Sequence, residues 1–186
     1  MDRKEAVHRI ALLLGGTVVG AELLSSCVSD VKKGHKLAGQ EHISLLDEIG
    51  DTIIPSTSSP GAKAAGIGGF MLLMVQDCYK PADQKVFYEG IEAINKASNQ
   101  KYNKVFLQLD AGQREALLLA IDKEQEDYMK KRDKKDPAHY FRMMKELTLL
   151  GFFTSEVGAT KALRYVAVPG RYEEIPYKKG DKAWAT

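Results

Sequence analysis

The stretch Leu147–Tyr172, LTLLGFFTSEVGATKALRYVAVPGRY, predicts where the helical part of the chain ends and which kind of segment comes after it. An apolar run stops at Gly151, a residue type that often terminates helices. Residues 154–156 (TSE) are typical of a helix cap and first turn, and a short helix is expected from there to Leu163. Beyond this helix the chain contains the large aromatic residues Tyr165, Tyr172, Tyr177 and Trp184. Disordered tails are usually poor in such residues. We therefore expect an irregular but ordered C-terminal extension from about residue 164.

Upstream of this stretch, apolar residues recur at helical spacing. A first helix is predicted from Gln40 until Pro55 stops it, because the residue before a proline is pushed out of the α region. The segment Gly66–Tyr79 leaves almost no polar face, which predicts a helix in the middle of the core. Cys78 lies in this segment and is expected to be a buried, inert thiol.

Two further helices follow in the pattern. One begins at Pro81, and its apolar stripe is broken over residues 95–103. The other begins at Ala111 and runs to about Met129, because Asp110 and Gln113 have the spacing of a capping box. Four residues of this second helix are expected to face inward: Ala116, Leu117, Ala120 and Ile121.

The last long helix is predicted to begin at Pro137, with Asp136 as its cap. Its apolar side is expected to hold Tyr140, Phe141, Met144, Leu147, Leu149 and Leu150. No segment shows the sustained alternation and hairpin turns that are typical of strands. The predicted fold is therefore all-α, a single bundle of five or six helices from Gln40 to Leu163 with the C-terminal extension.

The N-terminus resembles an export signal. A charged start with Arg3-Lys4 precedes an apolar run of about a dozen residues, which is too short to span a membrane. Residues 24–27 (LSSC) resemble a bacterial lipobox, in which Cys27 would be lipidated. A packed, uncleaved amphipathic helix is the alternative. We expect a signal over residues 1–27, a polar linker over 28–39 and one domain over 40–186.

Bulk composition excludes several classes of function. The formal net charge is only +2, and the densest charge, over residues 122–136, mixes both signs, so no basic face for nucleic acid is predicted. The two cysteines fit no zinc or redox spacing. No dinucleotide, phosphate-loop or haem-attachment motif occurs. His139 and Glu146 lie on roughly one helix face and are an acid–base pair candidate, although a surface charge pattern is the commoner explanation.

An exported helical domain without a catalytic set suggests binding. The end of the chain is rich in aromatic residues and arginine, the residue types enriched at protein interfaces. The partner-interface candidates are Phe152, Phe153, Arg164, Tyr165, Pro169, Gly170, Arg171, Tyr172 and Trp184. The alternative is that this segment wraps its own bundle and fills grooves with its aromatic rings. The sequence leaves both open.

Two blocks of sequence resemble a known family. The first is TIIP at residues 52–55 with SPGAKAAG at residues 59–66, and the second is FFTSEVGA at residues 152–159 followed by LRY and PGRY. Both blocks resemble the gluconate 2-dehydrogenase subunit 3 family. The likeness extends over nearly the whole chain, from the N-terminal signal to Trp184.

The resemblance implies a small subunit without a cofactor of its own in a membrane-associated dehydrogenase. In such complexes a flavoprotein subunit with FAD oxidises a sugar, sugar acid or glycoside, and a cytochrome subunit with haem c passes the electrons on. The small subunit supports maturation and export of the flavoprotein. A twin-arginine route to the periplasm is then implied, although Arg3-Lys4 departs from an arginine pair. A stand-alone, lipid-anchored envelope protein with a binding or structural role is the alternative function.

Overall fold

The computed structural model describes residues 39–170, 174, 176 and 178–185. The described residues form five α-helices: α1 (Gln40–Ile53), α2 (Ile67–Cys78), α3 (Pro81–Tyr102), α4 (Ala111–Lys131) and α5 (Tyr140–Thr154). Two 3-10 turns, Ala62–Ala65 and Phe106–Gln108, lie between helices, and a π-helical turn, Gly158–Ala162, follows α5. The predicted export signal with Cys27 lies outside the described residues, as do Arg171, Tyr172 and Tyr177.

The helices pack around one core, in which α5 contacts each of the other four. The largest side chains that are fully buried come from α1, α2, α3, α5 and the second 3-10 turn, and they include Leu46, Met71, Phe87, Phe106, Ile94, Phe141, Met144 and Phe152; α4 adds the buried residues Leu117, Leu118 and Ile121. The predicted all-α bundle with a C-terminal extension is therefore confirmed. Within that extension two short strands, β1 (Arg164–Tyr165) and β2 (Trp184–Ala185), pair in parallel, which the sequence pattern did not predict.

Helix α2 is apolar on almost every face, but only one of its faces is buried, so the prediction of a helix in the middle of the core is wrong. One face carries the buried residues Ile67, Gly68, Met71 and Val75, whereas Leu73 on the opposite face is 58% exposed. Cys78 lies in the last turn and is exposed, so the prediction of a buried thiol is wrong. The helix lies on the outside of the bundle, and its apolar residues outnumber the positions that the core can accept.

Two helices run further than their sequence patterns predicted. Helix α3 continues through the expected break to Tyr102, because Ser98 lies on the same buried face and its hydroxyl donates to the carbonyl of Lys104 (2.6 Å). It ends where Asn103 takes a left-handed conformation (φ 53°). Helix α5 continues through Gly151 to Thr154, because Gly151 is where Phe70 of α2 packs against it. Glycine serves here for close packing and not for termination.

The start of α5 also differs from the prediction. Asp136 does not cap it; the helix begins at Tyr140, and His139 is the cap, with its Nδ1 accepting from the amide of Phe141 (3.2 Å). The backbone carbonyl of Asp136 instead accepts from the guanidinium of Arg132. The capping box of α4 is confirmed: the Asp110 carboxylate accepts from the amide of Gln113 (2.8 Å).

The inward faces of α4 and α5 were predicted only in part. In α4, Leu117 and Ile121 are buried as expected, but Ala116 and Ala120 are exposed, and Leu118 and Gln125 take the inward positions. In α5, Phe141, Met144 and Leu147 are buried, whereas Leu149 and Leu150 are 47% and 46% exposed. The corrections share a cause, because these helices carry more apolar residues than one buried face holds.

Candidate partner interface

The first family-like block builds the connection between α1 and α2. After α1 ends, the amide of Ala62 donates to the carbonyl of Ile54 (2.9 Å), and the amide of Gly61 donates to the hydroxyl of Ser56 (2.9 Å). Ala62 is fully buried, and Gly66 takes the left-handed conformation (φ 62°) that ends the 3-10 turn. These residues close a compact turn, so their role is structural.

Glu48 of α1 ties this turn to the rest of the bundle. Its carboxylate, mostly buried, pairs with both Lys63 in the turn and Arg114 in α4. Arg114 also donates to the carbonyl of Leu107 (2.8 Å) and lies over the ring of Phe106. The Glu48 carboxylate raises the pKa of Lys63, chiefly through their hydrogen bond. One carboxylate thus joins the α1–α2 connection, the second 3-10 turn and α4.

The second family-like block reverses the chain after α5. The hydroxyl of Ser155 donates to the carbonyl of Phe152 (2.6 Å) and accepts from the amide of Gly158 (3.0 Å). Ser155, and not Thr154, is therefore the residue that caps the following turn; the Thr154 hydroxyl donates back to Leu150 (2.6 Å). A Cβ on Gly158 would lie 1.9 Å from the carbonyl oxygen of Phe152. Glycine is required there by the close approach of two backbone segments.

Strands β1 and β2, together called the strand pair, bring the end of the chain back to this reversal. The amide of Arg164 donates to the carbonyl of Ala183 (2.8 Å), and that of Val166 donates to Ala185 (2.9 Å). The Arg164 guanidinium lies over the Trp184 ring, 4.0 Å from its centroid. The Lys182 ammonium donates to the carbonyl of Lys161 in the π-helical turn. The sequence did not predict this pairing, because two-residue strands leave no periodic signal.

A second group of exposed apolar residues, called the α2–α5 surface, consists of Leu73 on α2 and Leu149, Leu150 and Phe153 on α5. All four are between 40% and 58% exposed. Phe70 packs against Gly151, so α2 and α5 touch at this level. Leu73 lies three residues on from Phe70, on a neighbouring part of α2, and Leu150 is next to Gly151. The apolar pattern predicts Leu149 and Leu150 in the core, but the unbroken apolar run over residues 149–153 exceeds one buried face.

The sequence-predicted interface candidates fall into three groups. Phe152 is buried in the core (2% exposed) and packs edge-on against Phe153, which is exposed. The following are exposed: Arg164, Tyr165, Pro169, Gly170 and Trp184. Arg171 and Tyr172 lie outside the described residues. The structure brings Arg164 and Trp184 together, and whether the set contacts a partner stays a prediction.

His139 and Glu146 do not form an acid–base pair. His139 is occupied as the cap of α5, with its ring between those of Tyr128 (5.6 Å) and Tyr140 (4.3 Å). Glu146 pairs with Arg142 one turn before it on the exposed side of the helix. Burial raises the pKa of Tyr140 to about 12, so its hydroxyl stays protonated. Both candidate residues have structural partners.

The stability of the bundle is expected to fall as the pH drops below about 6.5, because of His139. Burial lowers the pKa of this imidazole, with Glu124 acting in the opposite direction, so the folded chain binds the proton less readily than the unfolded one. Protonation at Nδ1 would also remove the acceptor that caps α5. The stability that depends on neutral His139 is fully present above the pKa of this imidazole in the unfolded chain. It is lost as the pH falls towards the lower pKa of His139 in the folded chain.

Urea unfolding at pH 7.5 and pH 5 measures this loss. The matched variant is His139→Ser, which keeps a capping oxygen without a titratable ring. Its free energy of unfolding should change less between the two pH values than that of the wild type. An equal change in both proteins would assign the pH dependence to other groups.

Within the described residues no group of histidine, cysteine, aspartate and glutamate side chains has the arrangement of a metal site. None of the described helices is long and apolar enough to cross a membrane. The family model for gluconate 2-dehydrogenase subunit 3 matches residues 40–170. The chain belongs to this family. The matched region of this subunit 3 protein contains all five described helices, the first family-like block, FFTSEVGA of the second and β1, and it ends within PGRY, before β2.

The family's name describes one subunit of a multi-subunit gluconate dehydrogenase. Neither the curated proteins nor the solved structures contain a significant match to this subunit 3 protein. The geometry of both blocks is explained by turns and packing, so the residues that mark the family in this chain are mainly scaffold. Among the described residues, the α2–α5 surface and the strand pair are two exposed features that this scaffold leaves.

Proposed function

We propose that this chain is the non-catalytic small subunit of a membrane-associated, FAD-dependent dehydrogenase of sugars, sugar acids or glycosides. In this proposal it binds the flavoprotein subunit and supports its maturation, export and stability. FAD then belongs to the flavoprotein and haem c to a cytochrome subunit. The observation that carries the proposal is the family match over residues 40–170. The chain would act in the periplasm, held at the membrane through its N-terminal signal or a lipid on Cys27.

The exposed apolar residues support a binding role. Water-exposed leucine and phenylalanine side chains that lie together are typical of surfaces that a partner covers. Leu73 lies on α2 and the exposed residues Leu149, Leu150 and Phe153 lie on α5, and these two helices contact each other. A partner that buries these side chains gains roughly 25 cal/mol for each Å² of apolar area removed from water.

The direct test is co-expression with the FAD-containing dehydrogenase subunit of the same organism. We expect the two proteins to co-purify, and we expect the periplasmic, FAD-loaded flavoprotein to be lost when this chain is omitted. A flavoprotein that is equally soluble, active and exported without this chain would overturn the proposal. Intact mass of the mature chain measures separately whether Cys27 is lipidated.

Leu150→Glu is expected to weaken the complex by about tenfold, which corresponds to about 1.4 kcal/mol. The reason is that a carboxylate placed in a covered apolar contact loses its hydration without gaining a partner. Leu150 is 46% exposed, so the stability of the isolated chain should change by less than about 0.5 kcal/mol. Titration of the flavoprotein against each purified variant measures the affinity.

The matched control is Leu119→Glu. Leu119 is a 62% exposed leucine on α4, beside Asp122 and Lys145 and outside the α2–α5 surface. This control changes the same residue type and adds the same charge. Equal losses of affinity in the two variants would show that the effect is one of net charge, and the α2–α5 surface would then not be the contact.

A further inference from the structure

The C-terminal extension holds the positive charge of the chain. Residues 161–186 contain six basic and three acidic residues, whereas the preceding 160 contain 21 basic and 22 acidic ones. Five of the six basic residues are described and exposed: Lys161, Arg164, Lys178, Lys179 and Lys182. The Asp181 carboxylate among them accepts from the backbone amide of Lys178 (3.0 Å). One of the three acidic groups of the extension is thus engaged in a local turn.

The strand pair gives this charge a defined arrangement. Backbone hydrogen bonds at Arg164 and Val166 hold β1 beside β2, and the Arg164–Trp184 stack and the Lys182–Lys161 contact add to them. A surface that is ordered before binding loses less conformational entropy when a partner arrives. The arrangement is therefore suited to recognition.

The aromatic side chains of the strand pair remain about half exposed. Tyr165 is 50% exposed and Trp184 is 47% exposed. An extension whose purpose was to fill grooves of its own bundle would bury these rings, since they carry the largest apolar area available to it. Tryptophan, tyrosine and arginine are instead the residue types that dominate binding energy at interfaces.

We propose that the strand pair, with Lys161 and Lys182, is a basic and aromatic docking surface for an acidic surface of the flavoprotein subunit. This inference rests on the proposed function and adds to it a location and a chemistry. The net positive charge of the extension selects a negatively charged partner surface. Arg164 has two roles: its stack on Trp184 orders the surface, and its charge contributes to the attraction.

The test measures the affinity of the full chain for the purified flavoprotein at about 50 mM and about 500 mM salt. Arg164→Ala and Trp184→Ala should each weaken binding at least about tenfold at low salt, and high salt should weaken wild-type binding by a similar factor. Lys179→Ala is the charge-matched control, because it removes one exposed cation from the same segment. Among the described residues, Lys179 makes no hydrogen bond or ring contact with the strand pair. It should weaken binding less than about threefold.

Trp184 is the only tryptophan, so its fluorescence reports on the strand pair without any partner. We expect Arg164→Ala to make this fluorescence markedly easier to quench with acrylamide, whereas Arg164→Lys and Lys179→Ala should leave quenching closer to that of the wild type. The melting temperature of the bundle should be the same in all variants. A melting temperature that falls in parallel with affinity would overturn the inference, because the extension would then act by supporting its own bundle.

The remaining outcomes separate the two proposals. Tight wild-type binding that is unaffected by Arg164→Ala and Trp184→Ala overturns the docking surface and leaves the proposed function standing. No wild-type binding at all overturns both. Vesicles containing phosphatidylglycerol form the third arm, because anionic lipid headgroups also attract basic and aromatic residues. The inference is overturned in favour of a membrane contact if Arg164→Ala weakens binding to these vesicles but leaves binding to the flavoprotein unchanged.

Discussion

Gly68→Ala is expected to lower the free energy of unfolding by about 3 kcal/mol, although alanine normally strengthens a helix. Gly68 lies in the first turn of α2, where that helix crosses α1. A Cβ there would lie 2.3 Å from the carbonyl oxygen of Ile43 and 3.0 Å from a carboxylate oxygen of Asp47. The atom met first belongs to the backbone of α1, so no change of rotamer can make room and the two helices must separate.

The same substitution is expected to disturb a hydrogen bond that starts α2. The amide of Gly68 donates to the Asp47 carboxylate (2.7 Å), whereas Gly66, at the cap position, has no side chain to accept it. Asp47 thus caps α2 from the neighbouring helix, and its negative charge lies favourably near the positive end of the helix dipole. Moving the helices apart lengthens this charge-assisted bond.

Gly69→Ala is the matched control, one position along the same helix. A Cβ on Gly69 meets nothing within 4 Å. Alanine there should raise stability by about 0.5–1 kcal/mol, because it loses less backbone entropy than glycine on folding. Urea denaturation of both variants measures the difference. Similar stabilities for the two would mean that α1 and α2 do not approach as closely as the structure shows.

Positions of close backbone approach and exposed surface positions are expected to give different kinds of variant. Gly68 lies two residues after the first family-like block, and Gly158 in the second block faces the backbone of Phe152 with no room for a side chain. We therefore expect substitutions at such positions to reduce export of the flavoprotein through loss of the folded subunit. Substitutions on the α2–α5 surface or the strand pair should reduce binding while the subunit stays folded. Measuring stability and affinity together distinguishes the two.

The helices could be predicted from the sequence because each one needs a buried stripe, and such stripes leave a period of 3.6 residues. The capping box at Asp110 and Gln113 was predictable for a similar reason, since the two side chains interact locally. The residue that caps α5 could not be predicted from the sequence. Asp136-Pro137 has the better local signal, but His139 takes the position because its ring packs between two tyrosines.

The exposed candidate surfaces could not be predicted from the helical period of the sequence. They depend on how many apolar residues the rest of the fold can cover, and the period does not specify this number. Leu73 and Leu150 lie in runs so apolar that both were expected in the core, and both remain exposed because the bundle has no further helix over them among the described residues. The strand pair joins residues twenty positions apart, Arg164 and Trp184, through contacts with no local signature. Tertiary packing alone determines these features.

Glu48→Gln is expected to lower the free energy of unfolding by about 2–3 kcal/mol. The Glu48 side chain is only 16% exposed, and its carboxylate is shared by Lys63 and Arg114. Glutamine has the same shape but no charge, so the guanidinium of Arg114, itself 18% exposed, would stay largely out of water without its counter-charge. Arg114 keeps its bond to the carbonyl of Leu107 (2.8 Å), which limits the loss.

The control is Glu146→Gln, which removes the charge of a carboxylate that pairs with Arg142 on the exposed side of α5. That pair is about half exposed on both sides, so its loss should cost less than about 0.5 kcal/mol. A third variant, Arg114→Met, completes a double-mutant cycle: once the guanidinium is gone, Glu48→Gln should cost clearly less than in the wild type. Equal costs in both backgrounds would show that Glu48 acts through Lys63 alone. A coupled result would mean that the Glu48 carboxylate of α1 stabilises the bundle through its pair with Arg114 of α4.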